Sequence, residues 1–168
     1  GQDPTFVIGG LLNNYGTNAR AGGGRHAVAE VDESDKSHLN LNPQHVVVNN
    51  LEVDHLNFYK GLDDIVGTMA EFIGGNPNLQ TLALNWDDAG VRDLAARIDR
   101  PYLRYGTTDE GLDFAARDVV DHGDAVSFVA WRGDERLGPV RLGVPGNYNA
   151  DNAAGAMAIA MGALGLDF

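Results

Sequence analysis

Ala27-Val-Ala-Glu-Val-Asp-Glu-Ser-Asp35 and Val46-Val-Val-Asn-Asn-Leu-Glu-Val-Asp-His55 are the stretches that decide how this chain folds. Each is a short apolar run that ends in a burst of acids and amides. Short β-branched runs of this kind read as strands buried in a parallel sheet. In an open parallel sheet, ligands collect beyond the carboxyl ends of the strands. The two strand tips would then present Glu30, Asp32 and His55 to one crevice. Hard carboxylate oxygens with one imidazole suit Mg²⁺ or Mn²⁺ bound to phosphates.

The pattern on either side extends this reading. Thr5–Ile8 reads as a short strand stopped by Gly9-Gly10, and 11–24, rich in Gly and Asn, as a loop. Ser34–Leu41 reads as a short helix capped by Ser34 or Asp35. Leu62, Ile65, Val66, Met69 and Phe72 form a helical stripe over 61–73, which Gly74-Gly75-Asn76-Pro77 ends. Thr81–Leu84 and Tyr102–Tyr105 are further strands around a helix over 87–98. After Gly106 the texture changes. Strands over 112–120, 125–132 and 136–144 are separated by the turns Asp121-His122-Gly123-Asp124 and Gly133-Asp134-Glu135, which predicts an antiparallel meander. A final helix covers 149–164. The expected fold is α/β: a mostly parallel sheet with helices on both faces plus a small antiparallel sheet, in a single domain over 1–168.

Composition narrows the function. At 168 residues the chain can bury a real core. It carries 24 acids against 12 basic residues, a net charge of −12, with Lys only at Lys36 and Lys60. A binder of the nucleic-acid backbone needs a clustered basic face, and none is present. The same acidity disfavours anionic membranes. There is no Cys, so disulfides and thiolate metal sites are excluded. No stretch reads as a signal peptide or a membrane span, because the apolar tail 153–166 is too short. The expected location is cytoplasmic.

Several of these segments also carry a family resemblance. Phe6-Val-Ile-Gly-Gly10, Gly16-Thr-Asn-Ala19, Ala29-Glu-Val-Asp-Glu-Ser-Asp35, Asn50-Leu-Glu-Val-Asp-His55 and Pro145-Gly-Asn-Tyr-Asn149 resemble the Mur ligases in order and spacing. The resemblance covers the whole chain but only the central ATP-binding domain of such an enzyme. It implies an ATP-dependent amide-forming ligase of peptidoglycan precursor synthesis. Thr68 and Met69 stand where some relatives carry a modified lysine, which fits the alanine-adding branch. The implied substrates are UDP-N-acetylmuramate, L-alanine and ATP, with Mg²⁺ or Mn²⁺. The alternatives are a tripeptide-recycling ligase of the same family and a non-catalytic binding module.

Residue roles follow from the same resemblance. Glu30 and His55 match the family's metal-binding acid and histidine; on the residues alone they are an exposed strand-end acid and a surface histidine. Glu52 and Asp54 flank His55 as orienting or merely solvated acids. Asp32, Ser34 and Asn50 are substrate-side candidates, with an acidic turn and a helix cap as the plainer reading. Asn149 and Asn152 match the Asn-x-x-Asn pair that recognises adenine at the start of a helix; capping by Asn147 or Asn149 is the plainer role. Tyr148 stands where the family usually has His. Gly9, Gly10, Gly16 and Gly22–Gly24 read as turn glycines. No Gly-x-x-x-x-Gly-Lys-[Ser/Thr] loop occurs; in the family it lies just upstream. The sequence is therefore expected to be a piece of a longer enzyme, without the phosphate-loop strand and helix or the flanking domains, and inactive by itself. No protein nucleophile is needed, because the substrate carboxylate attacks ATP.

Overall fold

The computed structural model describes residues 2–34, 36–53, 57–108 and 110–168. Asp35, Asp54 and His55 lie outside the described residues. The chain forms two compact units, Gly1–His38 and Leu39–Phe168.

The first unit is a three-stranded mixed sheet. Strand β1 (Thr5–Leu12) lies between β2 (Thr17–Arg20), antiparallel to it, and β3 (Ala27–Ala29), parallel to it. Gly9 and Gly10 do not stop β1, and the expected loop contains β2. Neither glycine takes a positive φ, so β1 continues through them, and its register with β2 shifts between Val7 and Leu12. Gly16, at φ 62, makes the turn between the strands. Gly24 serves close approach rather than turning: a Cβ there would stand 1.9 Å from the carbonyl oxygen of Gln2. The expected helix over 34–41 shrinks to a 3-10 turn, Ser37–Asn40, because Asp32 Oδ1 accepts from the Ser34 N–H at 2.8 Å and offers that backbone an alternative to helix.

The second unit is one six-stranded sheet. Its order is β4 (His45–Val48), β5 (Thr81–Asn85), β6 (Leu103–Gly106), β7 (Phe114–Asp121), β8 (Val126–Arg132) and β9 (Glu135–Leu142). The pairs from β4 to β7 are parallel, and those from β7 to β9 are antiparallel. The expected α/β class holds, and the turn-separated strands do form an antiparallel meander. They extend the main sheet through the β6–β7 pair, however; the small second sheet is the mixed one of the first unit.

Helices cover both faces. Helix α1 (Leu62–Gly75) and helix α2 (Ala89–Arg97) follow β4 and β5. Ile65, Val66, Phe72 and Ile73 of α1 and Val91 and Leu94 of α2 bury against Val48, Leu82 and Leu84. Each such side chain contributes about 1.5–3 kcal/mol of transfer free energy. Helix α3 (Tyr148–Met157) lies on the opposite face. There Ala150, Ala154 and Ala158 meet Ala83, Tyr105, Phe114 and Phe128. Small residues on that stripe let α3 approach the sheet closely. The helix ends in a wide π turn, Ala158–Ala163, which the pattern of small residues had not distinguished from regular helix.

Helix α2 starts at Asp88, whose Oδ1 accepts from the Val91 N–H at 2.8 Å and from the Leu51 N–H at 3.3 Å. One carboxylate thus caps the helix and holds the chain leaving β4. The contact is close enough to demand Gly90, where a Cβ would lie 2.3 Å from the Leu51 carbonyl oxygen. We expect Gly90→Ala to destabilise the protein by about 1–3 kcal/mol, since backbone must move to admit the methyl. Chemical denaturation checks this; an unchanged midpoint would show that α2 can shift freely.

Candidate functional site

Glu30 leaves the end of β3 with an exposed side chain. Its backbone N–H still bonds the Val7 carbonyl at 2.9 Å, so the strand geometry carries it to the tip. Its Oε2 accepts from the Gly9 N–H at 2.7 Å. The glycine read as a strand stop is therefore the donor that positions this carboxylate. A Cβ on Gly9 would come 3.3 Å from Glu30 Oε1. Asp32 is exposed and engaged with the Ser34 backbone. Gly22 and Gly23 give their N–H groups to Thr5 Oγ1 and Asp3 Oδ2, so these amides serve the fold of the first unit.

In the second unit the carboxyl ends of β4, β5 and β6 carry a dense polar cluster. The Tyr105 side chain is fully buried, and its hydroxyl bonds the Val48 carbonyl at 2.9 Å and Asn49 Oδ1 at 2.7 Å. Burial pushes the phenol well above its usual range, and the nearby carboxylates of Asp151 and Asp88 add to this. Asp87, beyond β5, accepts from both the N–H and the hydroxyl of Thr107 and from both the N–H and the hydroxyl of Thr108, at 2.6–3.3 Å. Burial acts to raise this carboxyl, but the four donors outweigh it and hold Asp87 below the ordinary carboxylate value. Asp151, in the first turn of α3, is pushed up to about 6, first by burial and then by the charge of Asp87.

The same helix start carries the candidate adenine residues. Asn149 Nδ2 donates to the Pro145 carbonyl at 2.7 Å, so its amide is tied to the preceding loop. Asn147, at the cap position, makes no side-chain capping bond. Asn152 is exposed, and Tyr148 is 65% exposed, open to a flat partner. Asn50 is exposed just beyond β4.

Asn149 and Asn152 therefore share one helix turn with Asp151, and Asn50 shares the sheet edge with Asn49. Glu30 belongs to the first unit. The expectation that Glu30 and His55 share a crevice involves a residue outside those described. The sequence reading missed Asp87, Tyr105, Thr107 and Asp151. Leu82-Ala-Leu-Asn-Trp-Asp-Asp88 repeats the pattern of an apolar strand ending in acids, and that signal marks Asp87. Nothing local marks Asp151, whose environment comes from β5 and β6.

The family described as Mur ligase middle domain matches residues 12–160. The UDP-N-acetylmuramate–L-alanine ligase of a Geobacter species is 45% identical over 161 residues, which is 96% of this chain and 35% of that protein. The chain thus spans about a third of the length of such relatives. Among solved structures, the UDP-N-acetylmuramate–alanine ligase of Thermotoga maritima superposes with a TM-score of 0.78 at 21% identity, over 99% of this chain and 36% of that one. The UDP-N-acetylmuramate:L-alanyl-γ-D-glutamyl-meso-diaminopimelate ligase of Neisseria meningitides gives 0.82 at 24% identity, over 99% and 55%. At these identities the structures speak for the fold, while the family match covers most of the chain. The chain belongs to the Mur ligase family, as its middle domain.

Proposed function

We propose that this chain is the ATP-binding centre of a cytoplasmic ligase that joins L-alanine to UDP-N-acetylmuramate. The observation that carries the reading is the 45% identity, over nearly the whole chain, to a relative named for that reaction. In the proposed chemistry ATP phosphorylates the lactyl carboxylate of UDP-N-acetylmuramate. The amine of L-alanine then attacks the acyl phosphate, forming the amide and releasing phosphate. The chain's own part is to bind and orient. Asn152 presents its exposed amide to adenine from the first turn of α3, Asn149 offers the amide oxygen that its bond to the Pro145 carbonyl leaves over, and Tyr148 is free to lie against the base. Asp32, Ser34 and Asn50 are the candidates for contact with the sugar nucleotide.

Glu30 and His55 would hold Mg²⁺ or Mn²⁺. No group of three or more His, Cys, Asp or Glu able to hold a metal occurs among the described residues. A lone carboxylate with Oε2 on the Gly9 amide and Oε1 left over still fits an ion whose remaining ligands are phosphates and water. When bound, such an ion offsets charge on the transferring phosphoryl group. No helix among the described residues is long and apolar enough to cross a membrane.

The test is phosphate release by the full-length protein with Mg-ATP, UDP-N-acetylmuramate and L-alanine. Release that depends on L-alanine is expected. Release that needs a preformed tripeptide instead would favour the recycling ligase, and none with either would favour a non-catalytic module. In the same assay Asn152→Ala should raise KM for ATP by about tenfold with kcat nearly unchanged, the loss of roughly one hydrogen-bonded contact.

A further inference from the structure

Asp151 is an acid to which the proposed chemistry gives no role. It stands between Asn149 and Asn152, in the first turn of α3. Its Oδ1 is buried and has no hydrogen-bond partner. Its carboxyl lies against Asp87 and Thr107, at the ends of β5 and β6. Asp87 cannot turn away, because four donors from Thr107 and Thr108 fix its two oxygens. A second carboxylate beside a fixed one is repelled unless the two hold a proton between them.

We propose that Asp151 and Asp87 form a proton-sharing carboxyl pair that fastens the first turn of α3 to the carboxyl edge of the sheet, so that the placement of Asn149 and Asn152 depends on pH. Asp151 carries the proton and donates to Asp87. When the proton leaves to solvent, two carboxylates face each other, and the helix start is pushed off the β5 and β6 tips. The other ionisable groups here do not relieve that repulsion. Asp88, from the turn after β5, is committed to the Val91 and Leu51 amides. Tyr105, from β6, stays neutral with its hydroxyl on Val48 and Asn49. No basic group is among the charges acting on Asp151. Burial and the Asp87 charge bring its titration to about 6, so the pair changes state between mildly acid and neutral solution.

The consequence for nucleotide rests on the proposed adenine role of Asn149 and Asn152; the fastening itself does not. Two measurements on the full-length protein separate them. The first is hydrogen exchange of the α3 amides, corrected for the pH dependence of intrinsic exchange. Protection of the first turn should fall about five- to tenfold from about pH 5 to about pH 8, with its midpoint near Asp151's titration. The second is the affinity for adenosine, a probe without phosphates, which should fall by a similar factor. Asp151→Asn keeps a donor toward Asp87 and cannot ionise, so it should hold both readouts at their low-pH level throughout. Asp151→Ala removes donor and charge together, and should give flat profiles at the loosened level. Exchange that is independent of pH in the parent, or equally pH-dependent in Asp151→Asn, overturns the proposal. A pH-dependent exchange profile with no adenosine binding keeps the fastening and overturns the adenine reading.

Discussion

Replacing Asp87 by alanine is expected to cost about 2–4 kcal/mol of stability, and to lower the melting temperature by roughly 5–15 °C. Four donors lose one acceptor group: the N–H and hydroxyl of Thr107 and those of Thr108. Bonds to a charged acceptor are worth more than neutral ones, but Asp87 is only partly buried and solvent can replace some of them. Asp87→Asn should lie between the alanine variant and the parent, since it keeps one oxygen as acceptor. The pH dependence has a definite sign. Asp87 titrates below its ordinary value of 3.8 when folded, so its stabilisation is present above that value and is lost as pH falls through the folded one. Asp151 works the other way. Its carboxyl is raised, so the folded state binds the extra proton, and stability falls as pH climbs from about 3.8 toward about 6. The alanine variant removes the like charge beside Asp151 and should bring that carboxyl's titration down. Denaturation curves of both variants between acid and neutral pH would check this, and an unshifted Asp151 would show that burial alone sets its value.

Much of the fold was legible because periodicity is local. The stripe Leu62, Ile65, Val66, Met69 and Phe72 predicts α1, and all five return in the first core, Ile65, Val66 and Phe72 buried and Leu62 and Met69 packed against them. The apolar runs ending at Val48, Leu84 and Tyr105 predict parallel strands, which they form. What failed was decided at a distance. Gly9-Gly10 has the composition of a break, yet β1 pairs with β2 on either side of it, at Val7 and at Leu12, and runs on across it. The meander was visible from its turns, but not that β7 would add to β6 in parallel, a pairing that joins it to the main sheet. At the candidate site the same division holds. Glu30 was marked by the strand that ends in it. Asp151 acquires its chemistry from Asp87, a residue 64 positions earlier (151 less 87), and no window of sequence contains both.

Glu30→Gln should separate the fold from the proposed reaction more cleanly than any other change in this chain. The glutamine carbonyl can still accept the Gly9 N–H that now reaches Oε2 at 2.7 Å. The side chain is exposed, so no buried partner is left behind. Stability should therefore change by less than about 1 kcal/mol. What the substitution removes is a negative charge at the tip of β3 and the oxygen that can face a divalent ion. Amides are poor ligands for such an ion compared with carboxylates, and in the proposed chemistry the loss falls where phosphoryl charge must be balanced. In the full-length protein, on the proposed reaction, we expect turnover to fall by about a hundredfold or more, which corresponds to about 2.7 kcal/mol of barrier. The Mg²⁺ concentration giving half-maximal rate should rise, while KM for L-alanine stays close to the parent value. Glu30→Asp keeps the charge but shortens the reach, and should recover part of the rate at high Mg²⁺. Turnover of the glutamine variant within about threefold of the parent, at unchanged Mg²⁺ demand, would overturn the metal role proposed for Glu30 and leave it as the acceptor that secures Gly9.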